Sequence, residues 1–225
     1  MIVLSIFISG ELSGVDKTRY TEIVDSLENL PAPIQIETTG EKNTVVNGVK
    51  THLTYVAEYT IVGRVVTTRY YGYRPIYLRD IYFPNVYFGY LVVPMDVGIV
   101  WGRLSKKDFE PKIGATIEGD MPKDRAARVY ITDPYMRMLN GPNGKIRIRG
   151  DADNDWSHTH LIPSDGNINK LIKRIEVGDY VKLEGYLVNV DYGAGGMNTS
   201  TSRIDKGDGA CETMYVTKVT WLKTR

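Results

Sequence analysis

From Leu53 to Tyr71 the chain alternates without a helical period, and that stretch limits the fold more than any other. Tyr55, Ala57, Tyr59, Ile61, Gly63 and Val65 share one parity; Val56, Thr60, Val62, Arg64 and Val66 share the other. β-branched and aromatic residues dominate both, which suits a pleated, half-buried surface and argues for one long strand or two joined ones. A chain built around such a segment must supply further strands to pair with it. Candidates recur at Arg128–Thr132, Lys145–Arg149, Tyr180–Val190 and Glu212–Leu222, and Val93–Gly102 is a Pro-started apolar stretch.

The punctuation between these segments points the same way. Pro75 and Pro84 break a tyrosine-rich run over residues 69–90 into hairpins or a structured loop. Residues 111–127 read as irregular, after one helical turn at Ser105–Glu110. Asn140-Gly141-Pro142-Asn143-Gly144 marks a turn. Ser164 is placed to cap a short helix with Ile168, Leu171, Ile172 and Ile175 on its apolar stripe. Gly178-Asp179 then opens a strand in which Gly185 marks a bend or bulge. Three strands, a short helix and two strands is the order of an OB fold. The expected class is therefore mainly β with minor α, an OB-like small antiparallel β-barrel over residues 51–225. Residues 1–50 read as an N-terminal strand–helix appendage. Its strand is Ile2–Ile8. Its helix runs from Thr18 to Leu30, capped by Asp16 or Thr18 and stopped by Pro31 and Pro33. A polar loop follows at 38–50.

Charge and cysteine content narrow the function classes. Lys plus Arg number 28 against 27 Asp plus Glu, so the broad basic footprint of a protein that grips long nucleic acid is missing. Cys211 is the single cysteine, which rules out an intramolecular disulfide and permits a reducing compartment. The apolar run at Ile2–Ile8 is far shorter than the roughly 20 residues a bilayer requires. No membrane span is expected, and the default location is cytoplasmic. No Walker loop, GxSxG elbow or dinucleotide fingerprint occurs.

Four stretches taken together, VPMDVGIVWG at 93–102, SHTHLIPS at 157–164, VGDYVKLEGYLVNV at 177–190 and TSTSRIDKGDGACETMYV at 199–216, resemble an uncharacterised bacterial protein family. The resemblance spans roughly Tyr59–Thr220 and implies a C-terminal β domain. Members of that family typically carry an N-terminal membrane anchor, where this chain has residues 1–50; an exported location is the alternative the resemblance implies. It brings no activity with it.

Candidate chemistry gathers at two places. His158 and His160 lie two apart, so on a strand they share a face. Both could address one metal with an Asp, a Glu or Cys211, but no second ligand pair at metal spacing appears, and no metal site is assigned. The second place is the loop that ends at Cys211 and Glu212. Arg203 offers a planar donor fork, while Gly207 and Gly209 permit close backbone approach to an anion beside Ser202 and Asp208. The leading reading is a binding module. It would recognise a small anionic ligand, a nucleotide, short nucleic acid or a protein partner through Ser202, Arg203, Gly207, Asp208, Gly209 and Glu212, with Trp101 and the His158/His160 rim nearby. The rival reading is a hydrolase, phosphodiesters among its candidate substrates, using His158 and His160 with Asp205, Cys211 or Glu212. A third is a structural or assembly subunit: the tyrosines of 69–90, interleaved with Arg64, Arg69, Arg74 and Arg79, form a surface suited to stacking or to homo-oligomers. His52-Leu53-Thr54 has no matching second motif and is set aside. No cofactor is named by any motif.

Overall fold

The computed structural model describes residues 16–71, 88–89, 91–106, 112–116, 128–132, 155–202 and 211–225. The chain is mainly β. The expected long strand is a single element, β3 (Val49–Tyr70). Around it run β1 (Thr21–Ile23), β2 (Ile34–Val46), β4 (Met95–Val100), β7 (Trp156–Pro163), β8 (Tyr180–Asp191), β9 (Gly196–Met197) and β10 (Glu212–Lys223), while β5 (Lys112–Thr116) and β6 (Arg128–Thr132) pair separately.

Five strands pair in a closed circuit: β3 with β4, β4 with β7, β7 with β10, β10 with β8, and β8 with β3. Four of these pairings are antiparallel, but β7–β10 is parallel, as is β1–β10. The expected uniform antiparallel pairing is therefore corrected. A parallel pair needs a long crossover, and the chain supplies one through a short α-helix, β8 and β9. That helix, α1 (Gly166–Ile172), lies between β7 and β8, and its Ile168, Leu171 and Ile172 are buried. Its N-cap is Asp165 rather than Ser164; the carboxylate accepts from the backbone N–H groups of Asn167 and Ile168 at 2.8 and 2.9 Å.

Strand bulges decide which residues face inward. The β3–β8 register shifts between Tyr55 and Ala57, so these two residues oppose the consecutive Val188 and Leu187. They consequently point to opposite faces, although simple alternation puts them together. Ala57, Tyr59, Ile61 and Val65 turn inward to join Met95, Val97, Ile99, Leu161, Leu183, Leu187, Met214 and Val216 in the main core. Leu53 belongs to a second apolar cluster on the outer face, with Val92, Val93, Ile162, Val188 and Tyr215.

The first fifty residues differ most from expectation. Among the described residues before β3, only Lys17–Tyr20 is helical, as one 3-10 turn capped by Asp16, and β1 follows at once. Isolated helices of that length are marginal, and the β-branched Thr21 and Ile23 instead pair with Trp221 and Lys223. The loop expected at 38–50 is most of the β2–β3 hairpin. Asn47 and Gly48, with φ of 47° and 87°, make its turn, and Asn-Gly is the pair that such a two-residue turn favours. Residue 50 therefore lies inside β3. A strand, β5, also forms within the segment expected to be irregular. The expected strands at Ile2–Ile8 and Lys145–Arg149, and most of the tyrosine-rich run, lie outside the described residues. Among the described residues no helix is long and apolar enough to cross a membrane.

One carboxylate ties the N-terminal segment to this frame. Asp179 Oδ2 accepts from Lys17 Nζ (2.9 Å), the Glu176 backbone N–H (3.0 Å) and Trp221 Nε1 (2.8 Å). Asp179→Ala leaves a half-buried indole N–H and an ammonium without their shared acceptor. The expected loss is about 2 kcal/mol of unfolding free energy, measured by urea denaturation.

Candidate functional site

The outer face near one end of β4, β7 and β10 carries the polar cluster. In the β4–β7 register Asp96 opposes His160 and Gly98 opposes His158. In the parallel β7–β10 register Thr159 opposes Glu212 and His160 opposes Thr213, which sets Cys211, one residue before β10, beside the two histidines. Strand alternation puts Asp96, His158, His160 and Cys211 on one face.

The contacts form a chain. Tyr71 Oη donates to Asp96 Oδ2 at 2.5 Å. Asp96 Oδ1 lies 2.7 Å from His160 Nδ1, and Cys211 Sγ lies 3.5 Å from His158 Nδ1. His160 acts on the thiol as well, and with Nδ1 committed to Asp96 its Nε2 is the nitrogen left to face the sulfur. The two imidazole centroids are 5.7 Å apart. Asp96 is 1% exposed and His158 6%, whereas the His160 side chain is 17% exposed and Cys211 is partly exposed. Cys211 and His160 are thus less enclosed than Asp96 and His158.

Electrostatics follow from this packing. Burial pushes the Cys211 thiol up, but hydrogen bonds from His158 and His160, helped by the charge of His160, outweigh it and bring the pKa from 9.0 to about 6. Burial alone would lower the pKa of His160; the charge and hydrogen bond of Asp96, helped by Cys211, reverse that and raise it from 6.5 to about 10. At neutral pH the pair is therefore a thiolate beside an imidazolium, with a buried carboxylate behind.

The residues singled out in the sequence divide. His158, His160 and Cys211 come together, the arrangement the hydrolase reading requires. Glu212 does not join them: it occupies the inward face, where Ser157 Oγ donates to its Oε2 at 2.6 Å and Thr159 Oγ1 lies 2.8 Å from Ser157 Oγ. A one-residue step along β10 places Cys211 and Glu212 on opposite sides. Trp101 packs in the main core, five residues along the chain from Asp96, which is about 16 Å at the rise of a strand. Ser202 is exposed and its N–H donates to Ser200 Oγ, while the Ser200 N–H donates to the Cys211 carbonyl at 3.1 Å. Arg203, Asp205, Gly207, Asp208 and Gly209 lie outside the described residues. His52 sits apart on the β2–β3 hairpin against Asn43. Among the described residues no group of three or more His, Cys, Asp or Glu side chains is arranged to hold a metal.

Asp96 and Tyr71 were missed in the sequence reading. The available signal was a lone carboxylate inside the apolar run 93–102, whose strand is buried at all six positions. A charge there must have a partner. Tyr71 carries no signal of its own, since its neighbours in sequence are also tyrosines. No protein family, curated protein or solved structure matches the chain.

Proposed function

We propose that the chain is a thiol-dependent acyl-transfer enzyme, a hydrolase or transferase, built on an OB-like barrel. The OB-like assignment is supported by the circuit order β3-β4-β7-β10-β8, with α1 between its third and fourth strands in sequence. The single observation that carries the functional reading is the Cys211 thiol held by imidazole, with His160 oriented by the buried Asp96. A nucleophile, a base and a third group that orients the base are the parts covalent acyl transfer needs.

In this reading Cys211 Sγ attacks a substrate carbonyl carbon, forming the C–S bond as the carbonyl π pair moves to oxygen. Collapse of that intermediate breaks the bond to the leaving group, which takes the Nε2 proton of His160. Water, or another acceptor, then gives its proton to Nε2 and attacks the thioester. The C–S bond breaks and the thiolate returns.

The thiolate is the reactive form. Alkylation of Cys211 by iodoacetamide should therefore rise as the pH climbs through about 6 and level off above it. Mass spectrometry after incubation with p-nitrophenyl acetate should show an acetyl adduct that Cys211→Ala lacks. A limb at the ordinary thiol value near ~8.5, or a stoichiometric metal in the purified protein with an inert thiol, overturns the proposal.

A further inference from the structure

The two histidines touch the same sulfur, but their surroundings differ in a way the proposed chemistry has not used. His160 has a carboxylate on Nδ1 and an edge open to solvent. His158 is 6% exposed. Its Nδ1 faces Cys211 Sγ, and its Nε2 is buried without a hydrogen-bond partner. Among the described residues no carboxylate pairs with it.

Three forms of the His158 ring are conceivable, and burial separates them. A cation would bury a positive charge with no counter-ion of its own and leave Nε2–H unsatisfied. The neutral ring with its proton on Nε2 would bury an N–H with no acceptor and aim the Nδ1 lone pair at the sulfur. The neutral ring with its proton on Nδ1 satisfies the N–H and leaves only a lone pair unpartnered at Nε2. An unmade N–H bond in a dry site is the costlier fault, and the third form avoids it. That form cannot take a proton from water, because Nδ1 is occupied and Nε2 is sealed from solvent.

We infer that His158 is a fixed hydrogen-bond donor, its Nδ1–H holding the Cys211 thiolate in place, and that proton transfer belongs to His160 alone. This rests on the acyl-transfer reading for its place in a reaction, but the donor role itself concerns only the resting thiolate. Among the described residues, the groups that face the thiolate are His158 and His160 on β7. Behind His160 stand Asp96 on β4 and Tyr71 at the end of β3. His158 therefore explains why two histidines are present where a nucleophile needs one base. It also assigns the second a role an amide can imitate.

Asparagine places its side-chain N–H₂ where the Nδ1–H of histidine lies. His158→Asn is expected to keep the pH limb of iodoacetamide alkylation of Cys211 within about half a unit of the unmodified protein, whereas His158→Leu moves it up by about 1–2 units, the worth of one hydrogen bond to a charge. Two-dimensional ¹⁵N NMR of the unmodified protein at pH 7 should show His158 protonated at Nδ1 and bare at Nε2. This second measurement decides the matter even if His158→Leu does not fold. Protonation at Nε2, or an asparagine variant as impaired as the leucine one, overturns the inference. Failure of Cys211 to acylate would instead sink the acyl-transfer reading and leave the tautomer and the limb standing, so the two failures are told apart.

Discussion

Asp96→Asn should cut acyl turnover by about 10³-fold or more while the chain stays folded. Asp96 is buried, accepting from Tyr71 at Oδ2 and contacting His160 at Oδ1. An amide keeps the volume and one acceptor but loses the charge that holds His160 as a cation at neutral pH. Two consequences follow. His160 no longer keeps Nδ1–H fixed against an anion, so Nε2 is not reliably presented to the sulfur and substrate. Cys211 loses its facing cation, so the acid limb of its alkylation climbs from about 6 back toward the ordinary thiol range. Stability at neutral pH should fall by about 3 kcal/mol, because removing the charge of one partner in a buried pair leaves the other uncompensated. Turnover of an activated ester as a function of pH, read beside a thermal melt, separates these effects. An unmoved limb in a folded Asp96→Asn protein would show that the carboxylate does not act through His160.

Gly185→Ala is expected to open the circuit of strands and cost more than about 3 kcal/mol. A Cβ at position 185 would lie 2.0 Å from the Tyr215 carbonyl oxygen and 3.2 Å from the Thr217 backbone nitrogen. Both are backbone atoms, so no flexible side chain can swing aside. The position is also where the β8–β10 register slips: Val216 opposes Gly185 and Lys218 opposes Glu184, leaving Thr217 as the extra residue. The bulge turns Val216 and Val219 inward together with Trp221 and lets β10 curve between β8 and β7. Pushing the two strands apart there also disturbs β10 near Cys211, so the expected signature is coupled: loss of cooperative urea unfolding and loss of the acidic thiol. An alanine variant that unfolds with the midpoint and slope of the parent would mean the strands separate without cost.

The strand content was legible because it rests on local chemistry. The residues of β3 and β8 alternate and are β-branched, the glycines and prolines stand between segments, and α1 carries its apolar stripe at Ile168, Leu171 and Ile172. The region before β3 was misjudged for a related reason. Tyr20, Ile23, Val24, Leu27 and Leu30 have helical spacing, but of these Leu30 alone is buried, and it bridges to Gly102. Local spacing is a weak preference that a sheet edge overrides, here the end of β10. The same limit applied to polar residues. His158 and His160 were recognisable as a pair because two residues on one strand share a face. Glu212 was grouped with Cys211 because neighbours in sequence look like neighbours in space, and in a strand they are the opposite.

Sequence alone therefore determined the long strands β3 and β8, the short helix α1 and the shared face of the two histidines, since these depend on interactions among residues close along the chain. Tertiary structure decided the rest: that Cys211, 53 positions on from His158, meets those histidines, that Asp96 and Tyr71 stand behind one of them, and that bulges at Val56 and Thr217 choose which side of each strand is buried. These depend on strand register, and a slip of one residue reverses every side chain beyond it. No window of sequence contains the partner strand that sets that register.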